Sequence, residues 1–261
     1  MTEQAGPSRT AVVTGSASGI GQATAARLGQ AGYRIIEVDL AGAEVSADLA
    51  SQAGRAEAAA SIRDLAPDGI DAVITCAGVG GSAASGAQVS AVNFFGTTRL
   101  LTLLRSHLAL GHAPRAVVIS SSTSLLAYDS DLLADYLNDD EERAVGRCED
   151  AMLAYCTGKR ALCHWVRANS VLPDWAGSGI LLNAVAPGLV ATPLTLPALS
   201  TPKGRAAALA AVPSVLPTIP SAADLAPLIA FLASAENSNM VGQVVYSDGG
   251  SDVVVRGAAV P

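Results

Sequence analysis

A glycine-rich segment near the N-terminus constrains the fold more than any other part of this chain. It reads Thr14-Gly-Ser-Ala-Ser-Gly-Ile-Gly21, follows the β-branched run Thr10–Val13 and precedes an alanine-rich amphipathic stretch. A strand, a glycine turn and a helix in this order are typical of a dinucleotide-binding βαβ unit. Gly15 would allow the tight turn, Gly19 the approach of a pyrophosphate, and Gly21 close helix packing. The alternative is an ordinary glycine-rich turn between a strand and a helix.

An acidic residue closes the second predicted strand. Asp39 follows the apolar run Arg34–Val38 and lies twenty residues after Gly19. An acid at this point can accept hydrogen bonds from an adenosine ribose and repel a 2′-phosphate. The sequence therefore predicts NAD rather than NADP, although aspartates at strand ends also serve as simple turn formers.

A tyrosine and a lysine lie one helical turn apart in the second half of the chain. Tyr155 and Lys159 would share a helix face, because side chains at i and i+4 are neighbours. A free tyrosine has a pKa of roughly 10, and a cation held nearby lowers it. The pair therefore predicts a general acid and base that works near neutral pH. The alternative is a packed tyrosine beside a solvated lysine.

Taken together, these motifs resemble the short-chain dehydrogenase/reductase family from about Thr10 to Gly250, and they occur in the family's order. The further motifs are Asp48-Leu49, Cys76-Ala77-Gly78, Asn93, Ile119-Ser120-Ser121, Asn183-x-x-x-Pro187-Gly188 with Thr192, and Asp248-Gly249-Gly250. Within the family the chain looks most like the 3α-hydroxysteroid dehydrogenase/carbonyl reductase subgroup. The grounds are its Ala47-Asp48-Leu49 and Cys76-Ala77-Gly78 variants and a long insertion.

The resemblance implies a catalytic set and a cofactor site. Tyr155 would pass a proton to or from the substrate oxygen, and Lys159 would lower the pKa of Tyr155 and bond the nicotinamide ribose. Ser121, the second serine after the predicted strand, would hold the substrate oxygen, while Asn93 would anchor a water relay behind Lys159. The implied NAD-binding residues are Gly15, Ser18, Gly19, Ile20, Gly21, Asp39, Asp48, Leu49, Cys76, Ala77, Gly78, Tyr155, Lys159, Pro187, Gly188, Val190 and Thr192.

Two features depart from the family pattern. Cys76 stands where most members have asparagine, so an amide that ties neighbouring strands together is absent. Only nine positions separate Asp39 from Asp48, whereas a parallel crossover normally takes a dozen or more residues. We therefore expect the helix usual between the second and third strands to be missing.

The predicted fold is α/β: a single-domain, Rossmann-type, doubly wound parallel sheet of about seven strands. Strand and helix patterns alternate along the 261 residues, half of which are apolar, and this favours a sheet covered on both faces. We expect residues 1–9 and the tail after Arg256 to be held loosely. The predicted strands are Thr10–Val13, Arg34–Asp39, Glu44–Ala47, Asp71–Cys76, Ala116–Ser120, Ile180–Val185 and Val244–Ser247.

An acidic helical insertion is predicted over residues 123–152. Ser121 and Tyr155 are 34 positions apart, where the resembling family has about a dozen. Residues 129–150 hold nine acids and two arginines, and apolar residues at helical spacing predict one or two amphipathic helices. The resemblance implies that the insertion forms a homodimer interface. The alternative is a solvated acidic lobe that caps its own small core.

Composition excludes several other classes. The four cysteines lack metal-ligand spacing and a signal peptide is absent, so we expect a cytoplasmic protein with reduced thiols and no metal. A net charge of −7 argues against nucleic-acid binding. Four prolines interrupt the apolar run Ala206–Leu232 and argue against a membrane span.

The predicted reaction is reversible hydride transfer between NAD(H) and a secondary alcohol or ketone. An apolar lining predicts a hydrophobic substrate such as a hydroxysteroid. Open alternatives are another alcohol, sugar or hydroxyacyl dehydrogenase, and a non-catalytic NAD-binding sensor or scaffold. The segment after Ser121 and the substrate loop, residues 188–217, contribute Leu125, Leu126, Leu189, Leu194, Leu196 and Leu199, with Lys203 and Arg205 as nearby cations.

Overall fold

Seven parallel strands run through the centre of the protein in the order β3-β2-β1-β4-β5-β6-β7. The computed structural model describes residues 9–82, 84–147 and 149–258. The strands are β1 (Arg9–Thr14), β2 (Tyr33–Asp39), β3 (Val45–Ser46), β4 (Ala72–Thr75), β5 (Arg115–Ile119), β6 (Leu181–Pro187) and β7 (Val244–Ser247). The strand order reverses between β1 and β4, and ligands of such sheets bind at this switch point. The predicted fold class is confirmed.

Helices cover both faces of the sheet. They are α1 (Gly19–Gln30), α2 (Gln52–Leu65), α3 (Gly86–Val89), α4 (Thr97–Leu108), α5 (Ser130–Leu137), α6 (Glu141–Arg147), α7 (Ala151–Ser170), α8 (Leu196–Leu199), α9 (Pro202–Ala211), α10 (Ala222–Leu232) and α11 (Ser251–Arg256). A π-helix spans Ser90–Gly96, and 3-10 turns span Ser122–Leu125 and Ala176–Ser178. Within the described residues, no helix is both long and apolar enough to cross a membrane.

The alternation of side chains along β1 divides the core into two layers. Val12 packs with residues of α2, α4 and α7 on one face, while Val13 packs with residues of α1 and α10 on the other. The central strands β4 and β5 are buried at every position. This burial explains why they read as continuous apolar runs, which is typical of parallel sheets covered on both sides.

All seven predicted strands are present, with small differences at their ends. The expectation that residues 1–9 are all held loosely is wrong at its last residue, because Arg9 begins β1. Its guanidinium donates to the Ala31 carbonyl at 3.2 Å and lies 4.5 Å from the centre of the Tyr33 ring. Residues 1–8 and 259–261 lie outside the described residues.

The connection between β2 and β3 contains no helix, as predicted. The register pairs Val38 with Val45 and Asp39 with Ser46, so β3 lies beside the carboxyl end of β2. The chain therefore only steps sideways through residues 40–44 and never crosses the length of the sheet. The next helix, α2, begins at Gln52, after β3.

The acidic insertion forms two helices, α5 and α6, which confirms the predicted helical character. Leu132, Tyr136 and Ala144 are buried in the main core of the domain. The Tyr136 hydroxyl is 2.6 Å from the Ser90 hydroxyl, and its ring lies 4.6 Å from that of Phe94. The insertion is thus a continuation of the main core rather than a lobe with its own. Cys148 lies outside the described residues, and the homodimer interface stays a prediction.

Candidate active site

A cavity of about 350 Å³ lies at the carboxyl edge of the sheet, beside the switch point. All the residues predicted to bind NAD line this one cavity, and so does Ser121. Asn93 lies behind the lining. Sequence reasoning did not assign the remaining lining residues to the cofactor site, and they are Leu40, Ala47, Val79, Gln88, Val92, Ile119, Ser120, Pro193, Leu194 and Thr195.

Backbone geometry explains the glycines of the first loop. Gly15 has a φ of 65°, and a Cβ atom there would lie 2.7 Å from the backbone nitrogen of Ala77. At Gly21, a Cβ atom would lie 2.1 Å from the carbonyl oxygen of Gly15. These two positions admit no side chain, so the loop can lie flat against the end of β4 and against its own helix.

The N-terminus of α1 opens into the cavity. Ser18 occupies the N-cap position without forming a side-chain cap hydrogen bond, so the N–H groups of the first turn are available to a ligand. Thr192 lies across from them, because a Cβ at Gly19 would be 3.5 Å from the Thr192 methyl group. Free N–H groups at the positive end of a helix dipole suit an anionic group such as a pyrophosphate.

The carboxylate of Asp39 is fixed by two backbone donors. The Ala17 N–H donates to Oδ2 at 2.9 Å, and the Leu40 N–H donates to Oδ1 at 2.7 Å. Asp39 therefore joins the glycine loop to the end of β2 and holds a negative charge at the cavity wall. Two lone pairs remain on this carboxylate for hydroxyl groups of a ligand.

Tyr155 and Lys159 both face the cavity from α7. The Lys159 ammonium donates to the Ile119 carbonyl at 2.7 Å and lies 5.6 Å from the centre of the Tyr155 ring. Burial lowers the pKa of Lys159 to about 8. Burial also raises the pKa of Tyr155 to about 12, against the lowering effect of the Ser121 hydrogen bond.

The predicted lowering of the Tyr155 pKa is therefore wrong in direction. The prediction weighed only the attraction of a nearby cation, whereas loss of hydration is the largest influence on this phenol. Burial disfavours the charged form of every ionisable group, so it shifts a phenol upward and an ammonium downward. In this environment Tyr155 is a protonated phenol at neutral pH.

The three consecutive serines after β5 have different surroundings. Ser120 donates to the Lys159 carbonyl at 2.7 Å and so fastens β5 to α7. The buried Ser122 hydroxyl has no hydrogen-bond partner among the described residues. Ser121 lines the cavity, accepts from the Thr123 N–H at 3.1 Å and hydrogen-bonds Tyr155. The role of Ser121 in holding a substrate oxygen stays a prediction.

Asn93 lies on the π-helix and clamps the loop after β4. Its amide nitrogen donates to the Val79 carbonyl at 2.9 Å, and its Oδ1 accepts from the Val79 N–H at 2.8 Å. The loop that includes Cys76, Ala77 and Gly78 is thereby held at the cavity wall. The water relay implied for Asn93 stays a prediction.

The predicted substrate lining is only partly assembled. Leu194 lines the cavity and is 45% exposed. Lys203 and Arg205 are exposed on α9. The other leucines predicted to contact the substrate lie outside the cavity lining, and they are Leu125, Leu126, Leu189, Leu196 and Leu199.

Comparisons with known proteins agree with this geometry. A model described as the NAD dependent epimerase/dehydratase family matches residues 11–173, and one described as Enoyl-(Acyl carrier protein) reductase matches residues 142–252. The chain is 38% identical to the 3-alpha-hydroxysteroid dehydrogenase/carbonyl reductase of Comamonas testosteroni, over 94% of this chain and 97% of the relative. The chain belongs to the short-chain dehydrogenase/reductase family.

A solved structure supports the predicted subgroup, and a second relative shows a similar length of matching sequence. The crystal structure of the 3-alpha-hydroxysteroid dehydrogenase from Pseudomonas sp. B-0831, complexed with NADH, is 35% identical with a TM-score of 0.89. That similarity covers 96% of this chain and all of the other. The 2-(R)-hydroxypropyl-CoM dehydrogenase of Xanthobacter autotrophicus is 31% identical over 93% of this chain and 98% of the relative. The predicted subgroup is confirmed.

Replacing Lys159 with methionine tests the burial of the ammonium. In the unfolded chain this lysine has a pKa of 10.5, against about 8 in the folded protein. Between these values the unfolded chain binds more protons, so the wild type gains stability as pH rises. We expect the free energy of unfolding of the wild type, minus that of Lys159→Met, to rise by about 3 kcal/mol across this range. Urea unfolding at several pH values measures it.

The matched control is Lys203→Met, which removes an exposed ammonium from α9. Its free energy of unfolding should follow that of the wild type at every pH. A constant difference between the wild type and Lys159→Met over the same range would show that burial does not shift the pKa of Lys159.

Proposed function

We propose that this protein is an NAD(H)-dependent oxidoreductase that interconverts a secondary alcohol and a ketone on a hydrophobic substrate. One observation carries the proposal: Ser121, Tyr155 and Lys159 line the same cavity as the glycine loop. The Ser121 hydroxyl can hold a carbonyl oxygen. It lies with the Tyr155 phenol and the Lys159 ammonium beside a site suited to a dinucleotide. The chain also belongs to a family of dehydrogenases and reductases, which agrees with this reaction class.

The cavity residues fit NAD along its length. The free N–H groups at the start of α1 would hold the pyrophosphate, with Thr192 beside it. Asp39 would accept hydrogen bonds from the adenosine ribose, and Asp48 and Leu49 would flank the adenine. At the other end, Lys159 would bond the nicotinamide ribose, and the backbone from Pro187 to Val190 would meet the carboxamide. When bound, the nicotinamide supplies or accepts the hydride.

The protein residues manage the substrate oxygen and its proton. Ser121 would donate a hydrogen bond to the carbonyl oxygen and orient it towards Tyr155, acting as a single oxyanion-stabilising donor. Because burial keeps Tyr155 protonated, with a pKa of about 12, the phenol is poised to donate its proton as a ketone becomes an alkoxide. In the oxidation direction the buried Lys159 ammonium would stabilise the phenolate that must form.

Charge and polarity favour an apolar substrate. Leu194 borders the cavity, and the two cations of the substrate loop, Lys203 and Arg205, point to no anionic pocket because both are exposed on α9. Because neither loop cation is placed to hold a phosphate, a steroid or another bulky carbonyl compound suits the site better than a phosphorylated or CoA-linked one. The relative from Comamonas testosteroni, described as a hydroxysteroid dehydrogenase/carbonyl reductase, supports the same substrate class.

Turnover on a panel of ketones tests the proposed reaction. We expect oxidation of NADH, followed by its absorbance, with bulky apolar ketones such as 3-ketosteroids, and slower oxidation with small diketones or quinones. NADPH serves as the control cofactor. If NADH binds but no ketone or alcohol of the panel turns over, the result would favour a non-catalytic NAD-binding sensor over the enzyme.

Removing the phenolic hydroxyl tests the proton path. Tyr155→Phe should lower kcat by at least about a hundredfold, the factor that general acid–base catalysis contributes. Its affinity for NADH should stay near that of the wild type, as measured by quenching of protein fluorescence. Tyr128→Phe, which alters an exposed tyrosine, is the matched control and should keep wild-type turnover. Near wild-type kcat in Tyr155→Phe would contradict this mechanism.

Removing the charge of Asp39 tests the choice of cofactor. Asp39→Ala should lower the ratio of kcat/KM for NADH to that for NADPH by about tenfold, which corresponds to about 1.4 kcal/mol of lost repulsion. Because Asp39 also holds the glycine loop through Ala17, Asp39→Asn is the companion variant that keeps one acceptor oxygen. An unchanged ratio in both variants would mean that another group selects NAD.

A further inference from the structure

A buried arginine connects the acidic insertion to the cofactor cavity. Arg55 lies in the first turns of α2 with a side chain that is 3% exposed. One end of its guanidinium is 2.8 Å from the carboxylate of Glu141, at the start of α6. The other end donates to the backbone carbonyl of Leu49 at 3.4 Å. Arg55 thus spans from the insertion to the residue predicted to flank the adenine.

The segment that Arg55 holds is closely packed on its other sides. A Cβ at Gly54 would lie 2.1 Å from the Asp48 carbonyl oxygen, and a Cβ at Gly96 would lie 3.1 Å from that of Leu49. The turn at Asp48 and Leu49 therefore rests on α2 and on the end of the π-helix. Since both residues line the cavity, a shift of their backbone changes the width of its adenine end.

The insertion supplies the counter-charge for the buried Arg55 guanidinium. A buried guanidinium is costly unless a counter-charge and hydrogen-bond acceptors accompany it. Glu141 supplies that charge and is itself 27% exposed. The neighbouring acid, Asp139, lies in the turn between α5 and α6 and pairs with Arg99 of α4 at 2.9 Å. The turn is therefore held by two ion pairs, of which the Arg55–Glu141 pair reaches the cavity wall.

We propose that Glu141 is a positioning residue for the adenine end of the cofactor, acting through Arg55 on the Leu49 carbonyl. Glu141 fixes the guanidinium, the guanidinium fixes the Leu49 backbone, and Leu49 sets the adenine wall. This inference rests on the proposed function, because it assigns the adenosine of NAD to that wall. It gives the acidic insertion a role in binding the cofactor that is separate from subunit contacts.

Glu141→Gln tests the proposal, since it removes the charge and keeps the shape. We expect ADP-ribose, titrated calorimetrically into the purified protein, to bind about fivefold more weakly, which corresponds to about 1 kcal/mol. The kcat at saturating NADH should equal that of the wild type, because the nicotinamide end is untouched. Glu142→Gln, an exposed acid on the same helix, is the matched control and should bind ADP-ribose like the wild type.

A double variant separates positioning from stability. Arg55→Met with Glu141→Met removes both charges together, so no unpaired charge stays buried. We expect this variant to unfold at a temperature close to that of the wild type while binding ADP-ribose at least as weakly as Glu141→Gln does. Wild-type affinity for ADP-ribose in either variant would overturn the proposal. So would a fall in kcat that parallels the loss of thermal stability across the variants.

Failure of the proposed function has a different signature. If the wild type bound neither ADP-ribose nor NADH, the assignment of the cavity to NAD would be wrong. If the wild type bound both and Glu141→Gln bound them equally well, only the role of Glu141 would be wrong.

Discussion

The contact between the ends of β1 and β4 is the constraint on which the site depends. The Thr14 hydroxyl accepts from the Ala77 N–H at 3.0 Å, and the Thr14 carbonyl accepts from the Cys76 N–H at 3.2 Å. Because Gly15 has no side chain, the loop can cross Ala77 at a separation that a Cβ atom would not allow. This crossing forms the floor of the cavity at the switch point. From this crossing the glycine loop runs into α1. The loop after Cys76 runs to Val79, which is hydrogen-bonded to Asn93.

The proposed catalytic residues are firmly anchored and have lost most of their hydration. Lys159 is bound to Ile119, and its own carbonyl accepts from Ser120, so α7 and β5 are fastened at the point where chemistry is proposed. The same close packing removes water from the phenol and the ammonium, which raises the pKa of Tyr155 and lowers that of Lys159. A site of this kind costs stability in order to hold an acid in a reactive state. The fully buried central strands stabilise the domain and offset this loss of stability.

Local rules predict the architecture, the glycine loop and Asp39, whereas most of the other cavity residues follow from the family resemblance. Glycine spacing, strand periodicity and the position of Asp39 depend on neighbours along the chain, and these predictions agree with the structure. The direction of the Tyr155 pKa shift depends on burial, which the sequence does not display. The substrate leucines depend on the path of a long loop. The pairing of Arg55 with Glu141 joins residues 86 positions apart, and no periodic pattern signals it.

The π-helix at residues 90–96 forms two contacts with distant parts of the chain, and the spacing of these contacts depends on the number of residues between them. Ser90 meets Tyr136 of the insertion, while Asn93 meets Val79 of the cofactor loop. A π-helical turn accommodates one residue more than an α-helical turn. Deleting one residue between these contacts would turn the following helix by about 100° about its axis. If the helix kept one of these two contacts, it would then lose the other. The number of residues in this turn therefore sets the position of the insertion relative to the cofactor loop.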